Sequence, residues 1–165
     1  MKVIPDPTGP GRENVWSSYP RPAVAEPSQR HLKIVRRDVI IADTRKGIRT
    51  LETSHPAQLL LSTGRYRTVR PTAVAPAHIL RMEGRSDLLR CPRARRNAAR
   101  CGLELSRSEP GLQILARSRG LYAWPFAGCF VDDERVTPQP GKFYGGWISS
   151  DVAGPFKGAP GTRFW

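Results

Sequence analysis

The sequence predicts a mainly β protein, and three observations carry that reading. Glycine and proline together supply 31 of the 165 residues, with a hydrophobic content of 39%, which favours a turn-rich chain over a helical bundle. Across residues 31–53, short apolar runs alternate with breaks too brief to hold a helical crossover, so the strands are expected to pair antiparallel. Near the other end, an aromatic beside Gly145-Gly146 marks a place where another backbone or ring comes close, since glycine leaves room that a Cβ would fill.

Taken in order, residues 1–30 are rich in Pro, Gly, Ser and charge and are read as an extended arm, with Trp16 and Tyr19 beside prolines. Residues 31–165 are read as a single β domain. Leu32 and Ile34 begin one strand, and Arg36-Arg37-Asp38 turn it into a second at Val39-Ile40-Ile41. A break over residues 43–47 leads to a third over residues 48–53, giving a three-strand meander. Cys129-Phe130-Val131, Asp132-Asp133 and Glu134-Arg135-Val136 predict a tight hairpin. Asp at both central positions suits a primed turn less well than Asp-Gly. Residues 143–149 are read as a strand, and the Gly- and Pro-rich residues 154–161 as an ordered loop.

The middle differs in kind. Residues 57–121 contain thirteen arginines, no lysine and four acids, carrying +9 of the total +13. They contain one aromatic residue, Tyr66, against twelve elsewhere. Periodicity there is weak: residues 94–101 suit two turns of basic helix, and Pro71, Pro76, Pro92 and Pro110 limit anything longer. The segment is expected to be irregular or partly disordered.

Two outer blocks resemble a known family. Residues 13–56 carry VWSSYPRP and VIIADTRKGIRTLETSHP; residues 122–165 carry FVDDERVTPQP, FYGGW and DVAGPFKGAPGTRFW. These strings resemble bacterial domain-of-unknown-function family 427, sometimes labelled nucleotidyltransferase-like. The resemblance implies two small antiparallel sheets meeting in a tent or sandwich; it carries no established activity. Family members hold aromatic strings such as SYYYPP, CEWKG, TYFDV and AAWSYP between the blocks, and none is present here. Residues 58–67, QLLLSTGRYR, can be encoded CAG CTA CTA CTA TCC ACC GGG CGA TAT CGC, and read one base later this begins SYYYPP. The same shift applied to residues 79–84, 86–91 and 100–106 yields SCEWKG, ATYFDV and AAAWSYP. All four appear in family order with one direction of shift, so residues 57–121 are expected to be translated out of frame and this copy to be impaired.

For chemistry, Glu52, His55, Tyr144, Trp147 and Lys157 are the candidate ligand-binding residues. A carboxylate and an imidazole at a strand end can act as acid and base. Two rings can line a site for a planar ligand, and an ammonium can meet an anion. Each also has a structural reading: turn chemistry for Glu52 and His55, core packing for the rings, a loop contact for Lys157. The leading expectation is a small-molecule-binding module with no catalytic residue assigned. The alternatives are a nucleotidyltransferase-like enzyme, for which Asp132-Asp133 is the one carboxylate pair, and an Arg-rich nucleic-acid binder. The out-of-frame reading gives the arginines an unselected origin, so a nucleic-acid partner is not expected.

Neither a metal nor another cofactor is expected. Cys91, Cys101 and Cys129 fit no zinc spacing, and His31, His55 and His78 form no paired motif. No apolar run reaches membrane-spanning length and MKVIPDPTGPGREN lacks a signal-peptide core, so a cytoplasmic location without membrane association is expected.

Overall fold

A computed structural model describes residues 3–36, 38–62, 72–73, 78–80, 84–91, 99–107, 114, 118–141, 143–162 and 164–165. Its strands are β1 (Glu13–Asn14), β2 (Val24–Ser28), β3 (Leu32–Arg36), β4 (Val39–Thr44), β5 (Gly47–Glu52), β6 (His55–Ser62), β7 (Thr72–Ala73) and β8 (His78–Leu80). They continue with β9 (Gly84–Cys91), β10 (Ala99–Arg107), β11 (Ser118–Leu121), β12 (Gly128–Val131), β13 (Glu134–Arg135), β14 (Thr137–Pro138), β15 (Trp147–Ile148) and β16 (Val152–Ala153). The protein is mainly β, as its composition predicts.

Two antiparallel sheets form the body. One runs β2-β5-β6-β11-β10-β9-β7, with β8 also paired to β9; the other runs β13-β12-β3-β4. Two short ribbons, parallel β1-β16 and antiparallel β14-β15, complete the set. The inner faces of the sheets meet in a core of Leu32, Ile34, Ile41, Ala42, Cys129 and Val131 from one side and Leu59, Leu61 and Leu121 from the other. Alternation explains β3, where Leu32 and Ile34 point inward. Its partner β4 buries two consecutive residues, Ile41 and Ala42, because a register shift opposite Ile34 and Val35 inserts an extra residue.

The expected three-strand meander is corrected by the topology. Strands β3 and β4 pair, but β5 leaves that sheet and pairs with β2 and β6. The corner lies at Gly47, where a Cβ would run into Leu32 Cδ1. Only a bare backbone lets the chain pass so close to the core while changing sheets.

The β12-β13 hairpin forms as expected, with Asp132 and Asp133 at φ of 48° and 68°. Asp tolerates this left-handed region better than most residues. The Asp132 carboxylate is also held from outside the turn, accepting the His31 backbone N–H at 2.7 Å and Arg30 Nε–H at 2.5 Å. The strand expected over residues 143–149 shrinks to Trp147–Ile148, and Phe143 is 69% exposed.

In the middle segment the helical reading of residues 94–101 is corrected where the chain is described: Ala99–Arg107 is a strand paired to Gly84–Cys91. An isolated two-turn helix is marginal in water, and cross-strand pairing replaces it here. Residues 94–98 lie outside the described residues, as do the side chains of every central arginine except Arg119. Among the described residues, no helix is long and apolar enough to cross a membrane.

Candidate functional site

The site is built on the β5-β6 turn, Thr53-Ser54. Glu52 pairs with His55 across it, and Ser54 takes a φ of 76°. Two distant stretches hold this turn. From the first thirty residues, the Val15 carbonyl accepts Ser54 N–H at 3.0 Å, while the Pro20 and Tyr19 carbonyls accept Thr53 N–H and Oγ1–H at 3.1 and 2.9 Å. From the Gly- and Pro-rich loop, Lys157 N–H donates to the Ser54 carbonyl at 2.9 Å. Val15 and Ser54 are both fully buried. A second core of Val15, Tyr19, Leu51, Ala57 and Val152, flanked by Trp16 and Phe156, packs these stretches together.

The His55 imidazole is largely buried. Its Nδ1 lies 3.2 Å from the Thr53 carbonyl and from Ser54 Oγ, and 4.0 Å from a Glu52 oxygen. Donation to the carbonyl requires the proton on Nδ1, which leaves the lone pair on Nε2. Burial holds the His55 pKa below its ordinary value; Glu52 and the Thr53 carbonyl oppose this, and the Lys157 and Arg21 charges add to it. The Tyr144 ring meets the imidazole edge to face at 5.1 Å, and Phe143 packs on Tyr144 in turn.

Glycine and glutamine place Tyr144. A Cβ on Gly146 would run into Gln139 Oε1 and fall 2.7 Å from the Pro56 carbonyl oxygen; one on Gly145 would fall 2.7 Å from the Tyr122 ring. Gln139 binds both sides of this junction, accepting Gly146 N–H at 3.1 Å and donating Nε2–H to the Lys157 carbonyl at 2.8 Å. Lys157 Nζ donates to the Trp165 backbone oxygen at 2.5 Å.

Four of the five sequence candidates, Glu52, His55, Tyr144 and Lys157, therefore gather around one turn. Trp147 does not join them. It is 3% exposed in the main core, where its indole N–H donates to the Leu121 carbonyl at 2.7 Å. Arg21 and Gln139 were missed. Arg21 sits in a Pro-rich stretch whose sequence gives no fixed position, and Gln139 acts through backbone contacts that a lone Gln does not announce.

Asp132 and Asp133 do not form a paired metal clamp: Asp132 is committed to His31 and Arg30, and Asp133 is 80% exposed beside Lys33. Among the described residues, no three His, Cys, Asp or Glu side chains are placed to share a metal ion. Cys129 is buried, and burial pushes its thiol up to about 12.

Fold and site together define a two-sheet β domain whose first and last described stretches meet at one turn. Residues 24–76 match the family model NTP_transf_9, a domain of unknown function (DUF427). The match covers β2 to β7 and so extends past Pro56 into the Arg-rich segment. The transferase wording is the name of that family model. No curated protein matches the chain.

Proposed function

We propose that the domain binds a small molecule bearing an anionic or proton-donating group at the His55 face. The observation that carries this reading is the imidazole itself: burial keeps it neutral, a proton on Nδ1 places the lone pair on Nε2, and the Tyr144 ring and the Lys157 and Arg21 charges act on it. Arg21, and Lys157 whose ammonium is shared with the Trp165 backbone oxygen, set two positive charges against the Glu52 carboxylate and favour an anionic partner over a cationic one. The test is an NMR titration of the His55 ring with inorganic phosphate and with acetate. A saturable shift that His55→Gln removes and Lys157→Gln weakens supports the reading. No saturable shift with either anion overturns it.

We also propose that this copy is impaired because residues 57–121 are read out of frame. The support is the composition break at the segment's edges and the four recovered strings. The family match reaches residue 76, which makes the start of any shift the first question for the gene sequence.

A further inference from the structure

Residues of β14, β15 and β16, with Asp6 and Arg12, line an open groove of about 500 Å³ that does not include His55. Ile148, Val152 and Phe156 supply apolar lining, and Asp6 and Arg12 supply opposite charges. The Asp6 backbone is pinned: its N–H donates to the Gly154 carbonyl at 2.9 Å, and its carbonyl accepts Asn14 Nδ2–H at 2.8 Å. Asn14 is 2% exposed and also holds the Gly154 carbonyl at 2.8 Å, so a buried amide fixes Asp6 against Gly154. A Cβ at position 154 would stand 3.2 Å from an Asp6 carboxylate oxygen and 2.8 Å from the Phe156 nitrogen; glycine keeps that space open.

The other acid of the groove is committed. Glu134 accepts Ser150 N–H on Oε1 at 2.6 Å and the Ser150 hydroxyl on Oε2 at 2.7 Å. By contrast, the Asp6 carboxylate and the Arg12 guanidinium have no hydrogen-bond or ion-pair partner among the described residues. Two opposite charges left unmatched beside Ile148, Val152 and Phe156, in a lining that is otherwise mostly polar, suit one ligand that carries both. A simple anion would face Asp6, and a simple cation would face Arg12.

We propose that this groove binds a free α-amino acid with an apolar side chain. The ammonium meets Asp6, the carboxylate meets the Arg12 fork, and the side chain lies over Ile148, Val152 and Phe156. The volume falls within the range of about 300–1,000 Å³ typical of small-ligand sites, and the paired planar contact is the geometry Arg supplies best.

The test is calorimetric and NMR titration of the full chain with L-phenylalanine and L-leucine. N-acetyl-L-phenylalanine and L-phenylalanine amide serve as probes lacking one charge each. We expect saturable binding of both amino acids, and at least about tenfold weaker binding of each blocked probe. Asp6→Asn and Arg12→Gln, both at exposed positions, are expected to weaken L-phenylalanine by a similar factor while the folded NMR spectrum is kept. His55→Gln leaves this binding intact, which separates the groove from the His55 face. Absence of saturation at about 10 mM, equal binding of the blocked probes, or indifference to both substitutions would each overturn the proposal.

Discussion

The His55 imidazole and the Tyr144 ring lie edge to face, their centroids 5.1 Å apart and their planes at 61°. Tyr144 thereby covers part of the imidazole, and burial is the leading cause of its lowered pKa. Tyr144→Ala admits water, so the His55 pKa is expected to rise towards 6.5, read from its ring protons by NMR. The sign of the stability effect follows. Above the unfolded value of 6.5 both states are neutral and nothing is lost. As pH falls from 6.5 towards the lower folded pKa, the unfolded chain takes up a proton that the folded one does not. Stability then declines by up to about 1.4 kcal/mol per pH unit. His55→Gln is expected to remove that slope from urea unfolding curves collected between pH 5 and 7, and an unchanged slope would count against it.

Arg30 joins the β12-β13 hairpin to the loop that follows β15, through Asp132 at 2.5 Å and through Asp151. The His31 backbone N–H, then Arg30, holds Asp132 below the usual carboxylate range. Burial works against ionisation at Asp151, but the Ser149 hydroxyl and the Arg30 charge outweigh it. Depressed carboxylates stabilise fully above their unfolded value of 3.8 and lose that contribution as pH falls through the lower folded values. Because the ion pairs are about one-third exposed, Arg30→Ala is expected to cost only about 1 kcal/mol at neutral pH. The difference from the parent protein should close in acid, as measured by chemical denaturation.

Gly146→Ala tests the close approach under Tyr144. The added carbon would meet the Pro56 backbone oxygen at 2.7 Å, and backbone cannot swing aside as a side-chain tip can. We expect a loss of about 1–3 kcal/mol. Gly9→Ala, with nothing within 4 Å of the new atom, is the matched control and should leave the denaturation midpoint in place.

Trp147→Phe keeps a ring in the core but strands the Leu121 carbonyl that the indole N–H satisfies at 2.7 Å. An expected cost of about 1–3 kcal/mol reflects that buried acceptor. Trp147→Ala, which leaves a cavity, should cost about 3–5 kcal/mol.

The out-of-frame reading is tested on the gene. Reading one base later across codons 57–121 should give an open frame containing Cys-Glu-Trp-Lys-Gly, and a stop codon there ends the idea. At the protein level, unfolding followed by tryptophan fluorescence and by circular dichroism should not coincide. A single sharp transition seen by both probes contradicts impairment.

Strands β3, β4 and β5 and the Asp132-Asp133 hairpin were legible because local alternation and turn chemistry determine them. The Gly145-Gly146 approach was legible too, since two adjacent glycines beside an aromatic leave a gap that a neighbouring backbone or ring must fill. The sheet change at Gly47 was not: it depends on Leu32, a contact between strands that no local pattern states. Burial of Val15 and Tyr19 was hidden for the same reason, their partners Leu51, Ala57 and Val152 being far along the chain. Of the candidate site, His55 and Glu52 were readable from adjacency. Lys157 was visible as a lone cation in a Gly-rich loop, but nothing local set it against the same turn. The groove at Asp6 and Arg12 was invisible, because folding alone brings those residues to Val152 and Phe156.

Asn14 reaches the Gly154 carbonyl across 140 positions of chain. At a ribosomal rate of about 5–20 residues per second, the donor waits roughly 7–28 s before its acceptor has been synthesised. During that interval the core of Val15, Tyr19, Leu51 and Ala57 lacks Val152 and Phe156, and the side they cover stays open on the nascent chain. Engagement of the nascent chain by chaperones is therefore expected until residues 152–154 have emerged.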